Sequence, residues 1–164
     1  MRNLAAALAL LLAAGCASFD GRGLKPGEAT LEDVRDVMGA PALALKGPGD
    51  ETHLYYERYQ TGPAMFVVRL SAEGRLRGIE QRLTYANIHA IREGMRTEEV
   101  RALLGPPFGV SRFPRLQHDV WEYPWRHAVR ELRVLFVHFD DAGVARRIVE
   151  RHDYERDPED GPFP

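Results

Sequence analysis

The sequence is poor in the residues on which most enzyme sites depend. It has a single cysteine, Cys16, so no disulfide can form within the chain. Only three serines occur, and none stands in the Gly-x-Ser-x-Gly turn of a serine hydrolase. The six histidines lack the His-x-x-x-His spacing or the cysteine partners of a zinc site. The sequence therefore predicts no catalytic site and no metal.

An excess of charge of one sign is also missing. The chain has 22 basic and 24 acidic side chains, a net charge of −2. This balance argues against nucleic acid as a partner and offers no polybasic patch to anionic lipids. The one long apolar run, residues 4–14, has eleven residues, whereas a membrane-spanning helix needs about 20. We expect no transmembrane helix, no nucleic-acid partner and no small-molecule substrate.

The N-terminus instead has the pattern of a secretory signal peptide. Arg2 precedes the apolar run, which ends in Leu12-Ala13-Ala14-Gly15-Cys16. This string resembles the lipobox of bacterial lipoproteins, with Ala13 where leucine is usual. The resemblance implies cleavage after residue 15 and a covalent lipid on Cys16, which is the only cofactor expected. Ala17 after the cysteine favours the outer membrane. The alternative is an ordinary signal peptide with a chance cysteine.

Three ordered blocks of the chain occur twice. The blocks pair as follows: 34–41 with 100–107, 68–74 with 137–143, and 79–82 with 148–151. The separation stays between 66 residues (34 to 100) and 69 residues (79 to 148), and Tyr85 aligns with Tyr154. The order and spacing predict two copies of one module.

Each copy begins with a short predicted helix. In the first copy Thr30 is the expected N-cap and Gly39 the expected end; in the second, Thr97 and Gly105 take these places. The glycines are expected in the left-handed conformation, with prolines following. The residues 85–92 could add a further short helix before the second copy.

The rest of each copy is predicted to form strands. The predicted strands are 53–60, 65–70 and 75–83 in the first copy, and 118–125, 130–139 and 144–151 in the second. We therefore expect an α+β fold of two tandem modules, each a short helix or helix pair packed on a three-stranded antiparallel sheet. The expected boundaries are a signal peptide at 1–15, a lipidated tether at 16–26, modules at 27–85 and 86–154, and an acidic disordered tail at 155–164.

The second copy resembles the SmpA/OmlA (BamE-like) family of outer-membrane lipoproteins. The resemblance is carried by Ile91 to Val100, by the helix end Leu104-Gly105-Pro106-Pro107, by Val120 to Tyr123 and by Leu135 to Val144. It implies helices on an antiparallel sheet and a supporting place in outer-membrane β-barrel assembly. The family has one such module, whereas this chain has two. In form the tandem is similar to β-lactamase-inhibitory proteins, although those use disulfides.

Aromatic residues at alternate strand positions are the predicted binding residues. Trp121, Tyr123 and Trp125 share one face of a strand, as do Tyr55 and Tyr59 in the first copy. They would line a groove for a protein partner, since Trp and Tyr are favoured interface anchors. The alternative is that they are core.

Six arginines could form a basic strip for lipid headgroups or an acidic partner, although a solvated and balanced face is the preferred interpretation. These are Arg126, Arg130, Arg133, Arg146, Arg147 and Arg151.

The sequence thus predicts a non-enzymatic lipoprotein on the periplasmic face of the outer membrane. It would be a scaffold or accessory factor in β-barrel assembly or envelope integrity, with the barrel-assembly machinery as a possible partner. An inhibitor or sensor that captures one periplasmic target on its sheet is the alternative, and an enzyme of unrecognised type is the third possibility.

Overall fold

The computed structural model describes residues 20–59, 62–113, 118–128 and 131–153. The predicted signal peptide, Cys16 and the predicted tail at 155–164 lie outside the described residues. The elements follow in this order: α1 (Leu31–Met38), β1 (Leu43–Lys46), β2 (Thr52–Arg58), β3 (Ala64–Leu70), β4 (Leu76–Gln81), α2 (Tyr85–Ile88), α3 (Thr97–Leu104), β5 (Gly109–Phe113), β6 (His118–Ala128), β7 (Glu131–Phe139) and β8 (Ala145–His152).

The strands form two four-stranded antiparallel sheets. The first has the order β1-β2-β3-β4 and the second the order β5-β6-β7-β8. The predicted α+β class is confirmed, but the prediction of three strands per sheet is wrong. The missed strands, β1 and β5, are edge strands of four and five residues with no buried residue. They therefore lack the alternation of apolar and polar residues that marks a half-buried strand.

The helix starts follow from local hydrogen bonding. The Thr30 hydroxyl accepts a hydrogen bond from the backbone N–H of Asp33, whose carboxylate accepts one from the Thr30 N–H at 2.8 Å. The predicted cap is therefore confirmed for α1. For α3 it is wrong by one residue: Arg96 is the N-cap, and its backbone N–H donates to the Glu99 carboxylate at 2.8 Å. Thr97 is the first helical residue.

The helix ends have positive φ, as predicted, but not the left-handed helical conformation. Gly39 has φ 80° and ψ −159°, and Gly105 has φ 85° and ψ −170°. Each glycine N–H still closes the last helical turn, donating to Arg35 or Arg101 O at 2.8 Å. Only glycine adopts this region readily, because it has no Cβ.

Helix α1 packs on one face of the first sheet. Val34 and Met38 point from the helix into a core that includes Leu54, Tyr56 and Val68 of the sheet. Leu24, which belongs to the predicted tether, packs against the same core, and Gly27 N–H donates to Leu76 O at 2.7 Å. The chain is thus already part of the folded unit before residue 27.

Helix α3 lies in a second core that both sheets share. Val100 and Leu104 of the helix contribute to it together with Tyr55 from the first sheet and Tyr123 from the second. Tyr55 lies on the face of the first sheet opposite to Tyr56, because successive strand residues point to opposite faces. The layers are therefore α1, first sheet, α3 and second sheet. The expectation that each helix packs on one sheet fails for α3.

The two halves make matching contacts. The Tyr56 hydroxyl donates to Gly39 O at 3.3 Å, and the Tyr123 hydroxyl donates to Gly105 O at 3.1 Å. The first residue of each helix donates its N–H to a turn glycine, Leu31 to Gly74 O and Thr97 to Gly143 O, both at 3.1 Å. The register between the last two strands of each sheet shifts at Arg69/Leu70 and at His138/Phe139.

Candidate functional site

Four of the five predicted binding residues are core. Trp121, Tyr123 and Trp125 have exposed fractions of 7 %, 0 % and 0 %, and Tyr55 has 6 %. The three β6 side chains share one face of their strand, as the spacing predicts, but that face is covered by α3. The alternative interpretation as core is the one that the structure shows for these four residues. A role of these four residues in binding a partner stays a prediction.

Two of these buried rings, Tyr123 and Trp121, make contacts with α3. The Tyr123 hydroxyl donates to Gly105 O at the end of α3, and burial strongly raises the pKa of this phenol. The Arg101 guanidinium lies 5.0 Å from the centre of the Trp121 ring, which also packs on Phe139. These contacts fix α3 on the second sheet.

Tyr59 is the one predicted binding residue with an exposed ring. It follows β2 and is 47 % exposed. Its ring meets Phe108, just after α3, edge to face at a centroid distance of 5.1 Å. Tyr59 therefore lies where the two halves of the chain meet, and its role in binding stays a prediction.

A groove crosses the face of the second sheet that is turned away from α3. We call it the outer groove; it encloses about 200 Å³. Its lining comes from all four strands: Ser111, Phe113, Val120, Glu122, Phe136, His138, Arg147, Val149 and Arg151. Val120 is buried at its floor, whereas Phe113 at its rim is 48 % exposed. The surface offers a mainly apolar floor with charged walls.

The walls of the outer groove carry more positive than negative charge. Arg147 and Arg151 line it from β8, and neither forms a salt bridge among the described residues. Burial, together with the neighbouring charges of Arg147, His118 and Arg151, lowers the pKa of His138. The single carboxylate of the lining, Glu122, accepts a hydrogen bond from the Ser111 hydroxyl at 3.1 Å.

The arginines of the predicted basic strip lie on different faces of the second sheet and have different partners. Arg133 lies on the opposite face of the second sheet, where it pairs with Glu131 at 2.5 Å and Glu150 at 3.1 Å. Arg146 pairs with Asp140 at 2.6 Å. Arg130 lies outside the described residues. Among the described arginines of the strip, Arg147 and Arg151 are the two that line the outer groove.

Sequence reasoning missed the outer groove because it followed the largest aromatic residues. Val120 and Glu122 alternate with Trp121 and Tyr123 along β6, so the groove lies on the less conspicuous face of the same strand. The available signal was an apolar residue on that face of three neighbouring strands: Val120 of β6, Phe136 of β7 and Val149 of β8. Edge strand β5, which supplies Ser111 and Phe113, was not predicted.

The described residues hold neither a metal cluster nor a membrane-crossing helix. In residues 20–59, 62–113, 118–128 and 131–153, no three His, Cys, Asp or Glu side chains are placed to ligate one ion. Within the same ranges, every helix is too short or too polar to cross a bilayer.

Fold and surface together define an α+β protein of two antiparallel sheets whose described surface offers a contact groove. In a comparison with protein families, residues 81–148 match the model of the outer membrane protein assembly factor BamE domain. The matched region runs from the end of β4 into β8 and so covers α2, α3 and most of the second sheet. The predicted resemblance is confirmed for this part of the chain.

The other comparisons give weaker likenesses. No curated protein matches the chain. A DUF4309 family protein, YjgB from Bacillus subtilis, is 17% identical, with 80% of this chain and 84% of that chain covered and a TM-score of 0.32. A putative beta-lactamase inhibitor protein from Streptococcus mutans is 13% identical, with 82% and 89% covered and a TM-score of 0.31.

Proposed function

We propose that this chain is a non-catalytic lipoprotein of the outer membrane that assists the assembly of β-barrel proteins. The observation that carries the proposal is the match of residues 81–148 to the BamE assembly-factor domain. The matched region includes α3, which lies in the shared core, and β5 to β7, which are three of the four strands that line the outer groove. A surface with an apolar floor and charged walls suits contact with another protein.

The proposed anchor is a lipid on Cys16, at the periplasmic face of the membrane. The support is the sequence pattern of residues 1–16. Each buried CH₂ of a lipid chain contributes about 0.8 kcal/mol, so a lipidated cysteine with two or more chains stays bound. In this proposal residues 1–15 are removed and the residues after Cys16 join the lipid to the first sheet.

We further propose that the chain is a tandem duplication, with modules at 27–85 and 86–154 followed by an acidic tail. The matching tyrosine-to-glycine hydrogen bonds of Tyr56 and Tyr123 support it, as do the two equal sheet orders. Repeated backbone contacts at the helix starts and register shifts at equivalent strand positions add to this support.

The assembly role is tested by purification from the envelope. Full-length protein with a C-terminal tag, produced in its own bacterium, is captured from detergent-solubilised membranes. Proteins of the barrel-assembly machinery should copurify in stable proportion. A Cys16→Ser variant, which cannot accept the lipid, is the matched control. Capture of one soluble periplasmic target, without assembly proteins, would contradict the proposal and favour an inhibitor or sensor.

The anchor has an independent test. Mass spectrometry of the mature N-terminus should find a peptide that begins at Cys16 and carries acyl chains. An uncleaved leader or an unmodified thiol would contradict the anchoring proposal.

A further inference from the structure

The first sheet packs against α1 on one face and against α3 on the opposite face. Tyr55 and Val67 are cross-strand partners on that face, and both are buried in the shared core with α3. The end of α3 lies close to them: a Cβ on Gly105 would be 3.2 Å from Tyr55 Cδ1 and 2.7 Å from Met65 Cγ. This face of the first sheet therefore receives a helix from the following part of the chain.

The outer groove occupies the equivalent place on the second sheet. Tyr56 and Tyr123 make the same hydrogen bond to a helix-end glycine, so the residues before them, Tyr55 and Glu122, correspond. The partner of Tyr55 is Val67, and the partner of Glu122 is Phe136. On the first sheet this cross-strand pair is buried in the shared core with α3, whereas on the second sheet the corresponding pair lines the outer groove.

The chemistry of the outer groove indicates what would fill it. Phe113, Val120, Phe136 and Val149 supply an apolar surface, which a partner would remove from water. Arg147 and Arg151 supply two positive charges that are without a salt bridge among the described residues. An occupant with apolar residues on one side and carboxylates beside them matches both features.

We propose that the outer groove binds an amphipathic helix of a partner protein, whose acidic side chains face Arg147 and Arg151. The helix takes the place on the second sheet that α3 takes on the first. This inference deepens the proposed function and rests on it, because it specifies the surface and the kind of segment through which the chain contacts its assembly partner. Such helix-in-groove recognition is driven by the apolar face of the helix and oriented by the flanking charges.

A photo-crosslinking amino acid in the outer groove tests this proposal in the living bacterium. The full-length chain carries p-benzoylphenylalanine in place of Phe136, an aromatic replacement that keeps the apolar floor. The control carries it in place of Tyr85, which is 61 % exposed on α2, outside the outer groove. Mass spectrometry identifies the crosslinked residue of the partner. Thermal unfolding of the purified protein checks that each variant is folded.

Charge reversal supplies the second arm. Arg147→Glu together with Arg151→Glu should lower the yield of the Phe136 crosslink about tenfold, because the acidic helix would then meet like charge. Arg146→Glu is the matched control, since Arg146 is adjacent in sequence but pairs with Asp140 and does not line the outer groove. In this control variant the yield of the Phe136 crosslink should stay unchanged.

The proposal is supported when the Phe136 crosslinks map to an amphipathic helix with acidic residues and depend on the two arginines. It is overturned by crosslinks to an extended segment, to residues 154–164 of this chain or to a second copy. Absence of any crosslink, or a yield that survives the double reversal, overturns it as well. A helix from a protein outside barrel assembly would keep the groove proposal and reject the proposed function.

Discussion

Tyr123 illustrates how a single residue connects the end of α3 to the second sheet. Its ring is fully buried, and its hydroxyl donates to Gly105 O, a carbonyl that no longer has a helical partner. Loss of the donor would leave this buried oxygen without its hydrogen bond. Such a group costs about 1–3 kcal/mol.

We therefore expect Tyr123→Phe to lower the free energy of unfolding by about 1–2 kcal/mol, as measured by urea titration. Tyr56→Phe is the matched control. Its hydrogen bond to Gly39 O is longer, at 3.3 Å, and only partly buried, so water can replace it. A loss for Tyr56→Phe as large as that for Tyr123→Phe would contradict this account.

Burial of the same phenol predicts a dependence on pH. The pKa of Tyr123 is raised in the folded state, whereas in the unfolded chain a tyrosine ionises near pH 10. The stabilisation is therefore complete below about pH 10 and is lost as the pH rises above it. Removing this group by Tyr123→Phe should make the loss smaller by about 1.4 kcal/mol in total between about pH 9 and pH 11, measured by urea titration. An equal loss of stability with pH in Tyr123→Phe and in the unchanged protein would contradict the raised pKa of Tyr123. Burial also raises the pKa values of Tyr55 and Tyr56, which account for part of the loss that remains in the variant.

The spacing of aromatic residues predicted which side chains share a face but could not predict what covers that face. Trp121, Tyr123 and Trp125 alternate along β6, and this follows from the period of a strand. Their burial depends on α3 and on the first sheet, which are distant in sequence. Large aromatic residues suit both cores and interfaces. The layer arrangement therefore decides their role.

At the scale of elements, the helix ends depend on glycine for two separable reasons. Gly39 and Gly105 both have positive φ, where a Cβ is strained. A Cβ on Gly39 would have no atom within 4 Å, whereas one on Gly105 would press on Met65 and Tyr55 of the first sheet. Strain acts at both positions, but crowding acts only at the second.

Gly39→Ala should therefore lower the free energy of unfolding by about 1–3 kcal/mol, the cost of placing a residue with a Cβ in this glycine-only region of φ and ψ. Gly105→Ala should lower it by about 1–3 kcal/mol more, because the added methyl group also overpacks the contact between α3 and the first sheet. Chemical denaturation of both variants measures the difference. Equal losses would show that the end of α3 is not in close contact with the first sheet.

The longer helices and strands were predictable from the sequence, whereas the edge strands of the two sheets were not. The capping pattern of Thr30 and the apolar spacing of Val34 and Met38 predict α1 locally. Strands β1 and β5 are short edge strands without a buried residue, and they pair with the free backbone groups of β2 and β6. Their sequences carry little strand signal of their own, which is why the predicted sheets had one strand too few.

At the scale of the whole molecule, the shared core couples the two sheets. Residues from both sheets and from α2 and α3 belong to one buried cluster, so neither half can lose its structure without exposing apolar residues of the other. The repeat in the sequence predicted two modules, but it could not predict that α3 would lie between both sheets. That arrangement arises from apolar residues on the second face of the first sheet.

We expect the chain to unfold in one cooperative transition. Both tryptophans, Trp121 and Trp125, lie in β6, so their fluorescence reports on the second sheet, whereas far-ultraviolet circular dichroism reports on all elements. The two signals should have the same urea midpoint. Met65→Ala in the first sheet should shift the tryptophan midpoint as well, through the shared core. Two separate transitions would contradict the layered arrangement.

We expect the lipid-anchored chain to support barrel assembly through contact alone, and a deletion of its gene measures this role most directly. In a strain without this protein, quantitative electrophoresis of outer membranes should show fewer folded, heat-modifiable β-barrel proteins. The full chain should restore them, whereas Cys16→Ser should not. Unchanged amounts of folded barrels after deletion, with the protein verified as absent, would contradict the proposed function.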